Sequence, residues 1–364
     1  MNFLKTIDWY IIKKFVSTYL FTMGIFILIG ILIDLSEKVN YFVDDGLSIG
    51  YIIKEYYLNF MIWMMIFLTP LFILIAVIYF TSRLSDQSEI IALRNAGMSF
   101  GQLFKPYLVT ALGITILMLV TNHMILPLAQ KSKVAFENKH IKKQKALKTI
   151  DNLHIYTSPT QIVSARNYRL KDSLARDVII EEIVDNQLTQ YLKATTARWQ
   201  GATGKWQLQN YQIRKIIGDK EEIILGRGDK LDTLINLLPA DFISTRDEEA
   251  TLTSGQLLKR IDRDRQRGMN SSKIFEIEYH RRTADPFTVL ILTLIGFAIA
   301  SRKVRGGIGI HLTLGISLGA IFIFLSRFSQ TFANSSTFDV AFGVWIPNIF
   351  FTFVALLLVR VAQK

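Results

Sequence analysis

The chain has 364 residues, half of them apolar, and 42 Lys and Arg against 30 Asp and Glu give it a net charge of +12. With a positive mean hydropathy, this composition points to a membrane protein carrying one sizeable soluble part. Cysteine is absent, which excludes disulfides, thiolate metal sites and a cysteine nucleophile.

Lys13 and Lys14 precede the first apolar run, Val16–Ile33, as they would in a signal peptide. The run is longer than an ordinary signal core and no small-x-small cleavage site follows it, so it reads as a retained span. Leu58–Phe80, Phe104–Leu126, Phe287–Ala300, Ile308–Leu325 and Phe342–Val359 are five further candidates. A hydrocarbon core about 30 Å thick needs about 20 helical residues. Phe287–Ala300 falls short, so this span either begins before Pro286, with Thr283 and Ala284 in an interfacial turn, or is thin or tilted. Pro70 reads as a kink and Pro127 as a stop.

Between the second and third runs lies Ser82–Gly101, with Leu84, Ile90, Ile91, Leu93, Ala96 and Met98 at helical spacing. Ser85 or Asp86 is expected to cap this helix, Glu89 to sit near its first turn and Gly97 to end it. A single carboxylate among aliphatics suits a helix lying across a partner's surface better than an exposed linker. Short loops set the orientation. Lys5, Lys13, Lys14, Arg83, Arg94, Lys105, Arg302, Lys303, Arg305, Arg360 and Lys364 gather on one side, while the loop Asp34–Glu55 is acidic on balance. The positive-inside rule puts both termini and Ser82–Gly101 in the cytoplasm, and Ala129–Asp285 on the far side, periplasmic if the cell has two membranes.

That far-side segment begins as a basic helical continuation carrying Lys131, Lys133, Lys139, Lys142, Lys143, Lys145 and Lys148, with Glu137 its only acid. Short strands come next at His154–Thr157, Gln161–Ala165, Asp177–Val184, Gln190–Trp199, Trp206–Ile216 and Glu222–Leu225. Turn signals at Ser158-Pro159, Asp185-Asn186, Gly201–Gly204 and Gly218-Asp219 separate them. The expected fold is therefore six transmembrane helices plus an all-β sandwich or jellyroll-like domain, with helices Ser254–Arg267 and Ile274–Arg282 leading back to the membrane. The divisions are 1–128, 129–270 and 271–364.

No catalytic constellation emerges. Gly201–Lys205 is too short for a phosphate loop and reads as a hairpin turn, and the five histidines are scattered. His123 and Asn122 read as interfacial hydrogen-bonders, and Gly315–Gly319 as a helix-packing motif that is compatible with a mobile interface. The far-side segment holds more than half of the net charge. Nucleic acid does not fit a domain placed there, whereas an anionic lipid or glycolipid does. Lys131 and Lys133 suit such headgroups, and Lys38 and Arg327, at the outer ends of spans one and five, either snorkel or meet phosphates.

Four short motifs carry a resemblance: Asp8-Trp9-Tyr10-Ile11, Ser88-Glu89 with Gly97 eight residues after the glutamate, Gly204-Lys205-Trp206-Gln207-Leu208 and Trp345-Ile346-Pro347-Asn348. In order and spacing, over nearly the whole chain, they resemble the LptF/LptG permease family of the lipopolysaccharide-export ABC transporter. Asp8 and the stretch Ile33–Gly46 look more like LptG. The resemblance implies a multi-pass inner-membrane subunit with a periplasmic jellyroll and no catalytic activity of its own. It also implies a second LptF/LptG-type permease, an LptB-type ATPase dimer that binds the ATP, a bitopic LptC-type protein and lipopolysaccharide as cargo. Glu89, with Ser88, Ile90, Leu93, Arg94 and Gly97 around it, would be the carboxylate that meets a basic residue of the ATPase. Spans one and five would border the partner permease. Lys38 and Arg327 are phosphate candidates by location alone, because the family's basic positions do not all have matches here. A mechanotransmission-type ABC permease and an enzyme acting on envelope lipids are the competing readings.

Overall fold

The computed structural model describes residues 5–141, 149–185, 187–218, 220–242, 248–268, 272–302, 307–335 and 339–363. Lys142, Lys143, Lys145, Lys148, Asn186, Asp219, Lys303, Arg305 and Lys364 lie outside them. The chain divides into two compact units, one of residues 1–141, 249–258 and 273–364, the other of residues 142–248 and 259–272.

The first unit holds six helices long and apolar enough to cross a membrane. In chain order, α1 is Thr6–Asp44, α2 Ile49–Asp86, α3 the short Glu89–Asn95 and α4 Phe100–Ile141. After the sheet come α5 (Glu248–Thr251), α6 (Ser254–Gln266), α7 (Ser272–Ala300), α8 (Gly307–Ala333) and α9 (Val340–Gln363). Asp8 caps α1 by accepting from the Lys5 amide at 2.8 Å, and Ser99 and Gln102 form a reciprocal capping box on α4. The core is aromatic near α3, where Phe80 stacks on Tyr107 at 5.2 Å and Tyr107 meets Phe297 at 4.6 Å. Near the α1–α2 turn a second cluster joins Phe42, Tyr56, Tyr57, Phe60 and Phe136. Of the six spans α7 buries the largest share of its apolar stretch, and α1 and α8 the smallest.

One expectation about a proline is corrected and another is sharpened. Pro127 does not stop the third span. A π-helical turn at Thr121–Ile125 absorbs it and the helix runs on to Ile141. The fourth span does begin before Pro286, but Thr283 and Ala284 form no interfacial turn: α7 is continuous from Ser272 and absorbs the separate helix expected at Ile274–Arg282. A proline inside a helix frees the carbonyl four residues earlier, and in lipid that carbonyl needs another donor. For Pro286 the carbonyl is that of Arg282, and Asn122 Nδ2 donates to it at 3.3 Å. For Pro347 it is that of Gly343, which accepts from Ser329 Oγ. His123 sits beside this junction, with Nδ1 hydrogen-bonded to Ser254 Oγ at 2.8 Å.

The second unit is built on an antiparallel sheet whose six strands lie in sequence order: β1 Thr149–Ser158, β2 Gln161–Arg169, β3 Leu174–Val184, β4 Gln187–Gln200, β5 Lys205–Ile217 and β6 Lys220–Thr233. The all-β character is as expected, and Gly201–Gly204 is the hairpin turn between β4 and β5. Its strands, however, make one meander rather than two sandwiched sheets. The buried face (Val163, Ala165, Val178, Ile180, Leu192, Ala194, Ala197, Trp206 and Leu208) is covered by Ile235, Leu237 and Phe242 from the segment after β6. Trp206 Nε1 donates to the Leu237 carbonyl at 2.8 Å, and Phe242 stacks on Tyr168 at 4.0 Å.

Asp241 fastens this cover. Its carboxylate meets Arg267 at 2.8 Å, Arg260 at 3.0 Å and Arg263 at 3.4 Å, all three from α6 or just beyond it. Burial alone would push the carboxyl's pKa up. The hydrogen bonds from Arg267 and the Leu238 amide, with the charges of Arg267 and Arg260, outweigh burial and hold it below the usual carboxylate range. A depressed carboxyl contributes stability above its unfolded pKa of about 4 and loses it as pH falls through the folded value. The unfolding midpoint of the protein in detergent should therefore drop below about pH 4, and Asp241→Asn should remove that part of the slope. An identical slope in the variant would assign the effect to other acids.

Candidate functional site

The segment Ser82–Gly101 is not one helix. Ser82–Asp86 complete α2, with Ser82 and Ser85 buried, so neither Ser85 nor Asp86 caps α3. The chain breaks at Ser88, whose φ of 62° is left-handed and whose hydroxyl makes no cap bond to α3. Glu89 does open the first turn of α3, where its charge suits the helix dipole. Gly97, with φ 88°, ends it as expected. The amides of Gly97 and Met98 bond the carbonyls of Arg94 and Leu93, forming a Schellman motif.

This geometry sets Ile90 into the core and leaves Leu93 half-buried, with Arg94 and Gly97 exposed. Ile91 and Ala96, expected on the apolar face, point outward. Ile90 and Leu93 line a hollow with Ile7, Ile11, Leu103 and Phe297, so α3 rests at once on α1, α4 and α7. Glu89 lies at the mouth of that hollow, half-buried, with Tyr10 Oη donating to its Oε2 at 3.5 Å. A helix held this way moves its supports when it is pushed, and its one carboxylate remains within reach of an approaching cation.

Two of the four basic candidates are brought together near the α1–α2 turn. Lys38 Nζ pairs with Asp34 at 2.5 Å and bonds the Tyr56 hydroxyl. Tyr56 Oη also donates to Asp34 Oδ1 at 3.1 Å. Lys133 lies 4.2 Å from the centre of the Trp63 ring, a cation–π contact, and 3.8 Å from Glu137, which is 4.0 Å from Lys38. Lys131 is exposed on the same helix. Arg327 stands apart on α8, exposed, over the Phe67 ring at 5.6 Å. The sequence carried one signal for this cluster, the i, i+4 spacing of Asp34 and Lys38. Tyr56 and Trp63 had none, because aromatic residues at helical spacing read as core.

Six helices long and apolar enough to cross a membrane, a β domain inserted between the third and fourth, and a short carboxylate-bearing helix between the second and third define a class: a multi-pass membrane protein. Residues 9–361 match the family described as Lipopolysaccharide export system permease LptF/LptG, and the chain belongs to that family. The description takes in LptF and LptG together. No curated protein matches the chain.

Proposed function

We propose that the chain is a non-catalytic permease subunit, more like LptG than LptF, that extracts lipopolysaccharide from the inner membrane and passes it to a periplasmic bridge. The observation that carries this reading is α3, seated on three spans with Glu89 at its edge. Both termini and α3 face the cytoplasm and the β domain faces the periplasm, in keeping with the charge of the short loops. An LptB-type ATPase dimer binds the ATP. Its closure presses on α3 and shifts the spans beneath it, and the cavity shared with a second LptF/LptG-type permease shrinks and drives the lipid outward. The low burial of α1 and α8 supports these as the helices that border the partner permease. Edge strand β6 exposes Ile223, Ile224 and Leu225, which suits strand addition by a neighbouring β domain such as that of the LptC-type protein.

Lys38, Lys133, Lys131 and Arg327 are the candidates for lipid phosphates. Lys38→Met should lower lipopolysaccharide-stimulated ATP hydrolysis about tenfold or more while sparing the unstimulated rate, as expected for one lost charge-assisted contact of about 1.5–3 kcal/mol. An unchanged response would make Lys38 a partner of Asp34 and nothing more. The reading as a whole is tested by gentle purification of the tagged chain. Recovery of a second six-span permease, an ATPase dimer and bound glycolipid is the expected result, and a chain that acts alone on lipid would favour the enzyme instead.

A further inference from the structure

Helix α8 meets α2 through residues spaced by four. A Cβ on Gly307 would stand 4.0 Å from Asp86 Oδ2, one on Gly315 would overlap Ile78 Cδ1, and one on Gly319 would stand 2.9 Å from Leu71 Cδ1. The fourth member of the row is His311. Its Nδ1 is hydrogen-bonded to Ser82 Oγ at 2.8 Å, and both residues are buried, 1% and 0% exposed. The contacts run in opposite order along the two helices, so the pair is antiparallel.

Glycines let two helices approach closely, but they leave a smooth face with little to oppose sliding along the axis. The Ser82–His311 bond adds a directional contact to this row. Packing alone would favour an apolar side chain at 311, since the buried His311 Nε2 meets no hydrogen-bond partner among the described residues and burying it costs free energy. Ser82 lies in the last turns of α2, one turn and a half before the break at Ser88 that starts α3. Whatever displaces α3 therefore pulls first on the end of α2 to which α8 is fastened.

We propose that His311 is a positioning residue that pins α8 to the final turns of α2, so that displacement of α3 carries α8 along with it. The proposal rests on the reading of α3 as the ATPase contact. With the pin intact, α8 moves in register with α2 and the cavity wall it forms closes on each cycle. Without it, α8 lags along its glycine face and nucleotide is spent without lipid leaving.

The test uses the complete complex, with its partner permease, ATPase and bitopic protein, in vesicles containing lipopolysaccharide. ATP hydrolysed per lipopolysaccharide released is measured for Ser82→Ala, His311→Ala, His311→Asn and His311→Gln. A smaller folded fraction lowers both rates together and leaves their ratio alone, whereas a lost pin raises the ratio. Asparagine places its amide where Nδ1 stands, and glutamine places it where Nε2 stands. The ratio should rise about fivefold or more in both alanine variants, the equivalent of one ordinary hydrogen bond. The double alanine variant should be no worse than either single one, the asparagine variant should return close to the unaltered ratio, and the glutamine variant should not. An unchanged ratio in the alanine variants, or equal behaviour of asparagine and glutamine, would overturn the pin. Glu89→Ala run alongside separates the two claims. If it exports normally, the reading of α3 falls; if it fails while His311→Ala keeps its ratio, the pin alone falls.

Discussion

Replacing Glu89 by alanine is expected to abolish lipopolysaccharide export while the chain still inserts and folds. The side chain is half-buried at the rim of the α3 hollow and contributes little to the packing beneath, which Ile90 and Leu93 supply. Its loss costs the chain a 3.5 Å hydrogen bond from Tyr10, at the weak limit of such contacts, and a helix-dipole contribution of about 0.3–1 kcal/mol. Across an interface the balance differs. Truncating one partner of a hydrogen-bonded charge pair costs about 2–5 kcal/mol, much of it from the charge left unpaired on the other side. At tenfold for each 1.4 kcal/mol, that is a loss of about 30-fold or more in productive docking of the ATPase. Glu89→Gln keeps an acceptor without the charge and should fall between the two. Growth supported by the variant, together with ATPase retained on the tagged chain, measures both. Normal growth with normal retention would show that α3 is a plain loop helix.

Trp206→Ala is expected to be the most damaging single change in the β domain. The indole is 1% exposed and touches Trp199, Tyr168 and Phe242, with ring centres 5.4, 6.4 and 5.8 Å away. Truncating a buried tryptophan costs about 3–5 kcal/mol through lost burial and the cavity left behind. It also strips the Leu237 carbonyl of its donor, and a buried acceptor left unmade adds about 1–3 kcal/mol. The cover over the sheet should loosen, with Ile235–Phe242 becoming open to protease before the strands do. Trp206→Phe keeps much of the volume but not the N–H and should recover only part of the loss. Digestion of the purified protein in detergent, followed by sequencing of the first cuts, reads this directly. Unaltered cleavage in Trp206→Ala would mean that the cover is held by Asp241 and its arginines alone.

The two periodicities of the chain made most of this architecture legible. Long apolar runs located all six spans, and alternation with turn residues located all six strands, because both patterns are imposed by burial. Boundaries were less legible where tertiary contacts override local rules. Pro127 looks like a stop in isolation, and only Asn122 on a neighbouring helix shows why Pro286 is tolerated inside α7. Ser88 gave no sign of its left-handed backbone, since serine carries no bias towards that region, so α3 came out as part of a longer helix. The candidate site divides in the same way. Glu89 stood out as a lone acid among aliphatics, whereas the Ser82–His311 bond joins residues far apart in sequence and left no trace in either segment. Several residues that carried the family resemblance have structural work to do. Asp8 caps α1, Trp206 holds the sheet's cover, and Asn348 Nδ2 bonds the Ala284 carbonyl at 2.8 Å.

The freed carbonyls ahead of Pro286 and Pro347 bear on how the chain is assembled. In hydrocarbon each would cost several kcal/mol if left bare. In both cases the side chain that satisfies it, Asn122 or Ser329, is synthesised before the proline it serves. The ribosome therefore delivers both donors ahead of their need. A circularly rearranged gene that presents residues 272–363 first would send α7 into the lipid with its break unmended, and biogenesis rather than the finished fold would be what suffers.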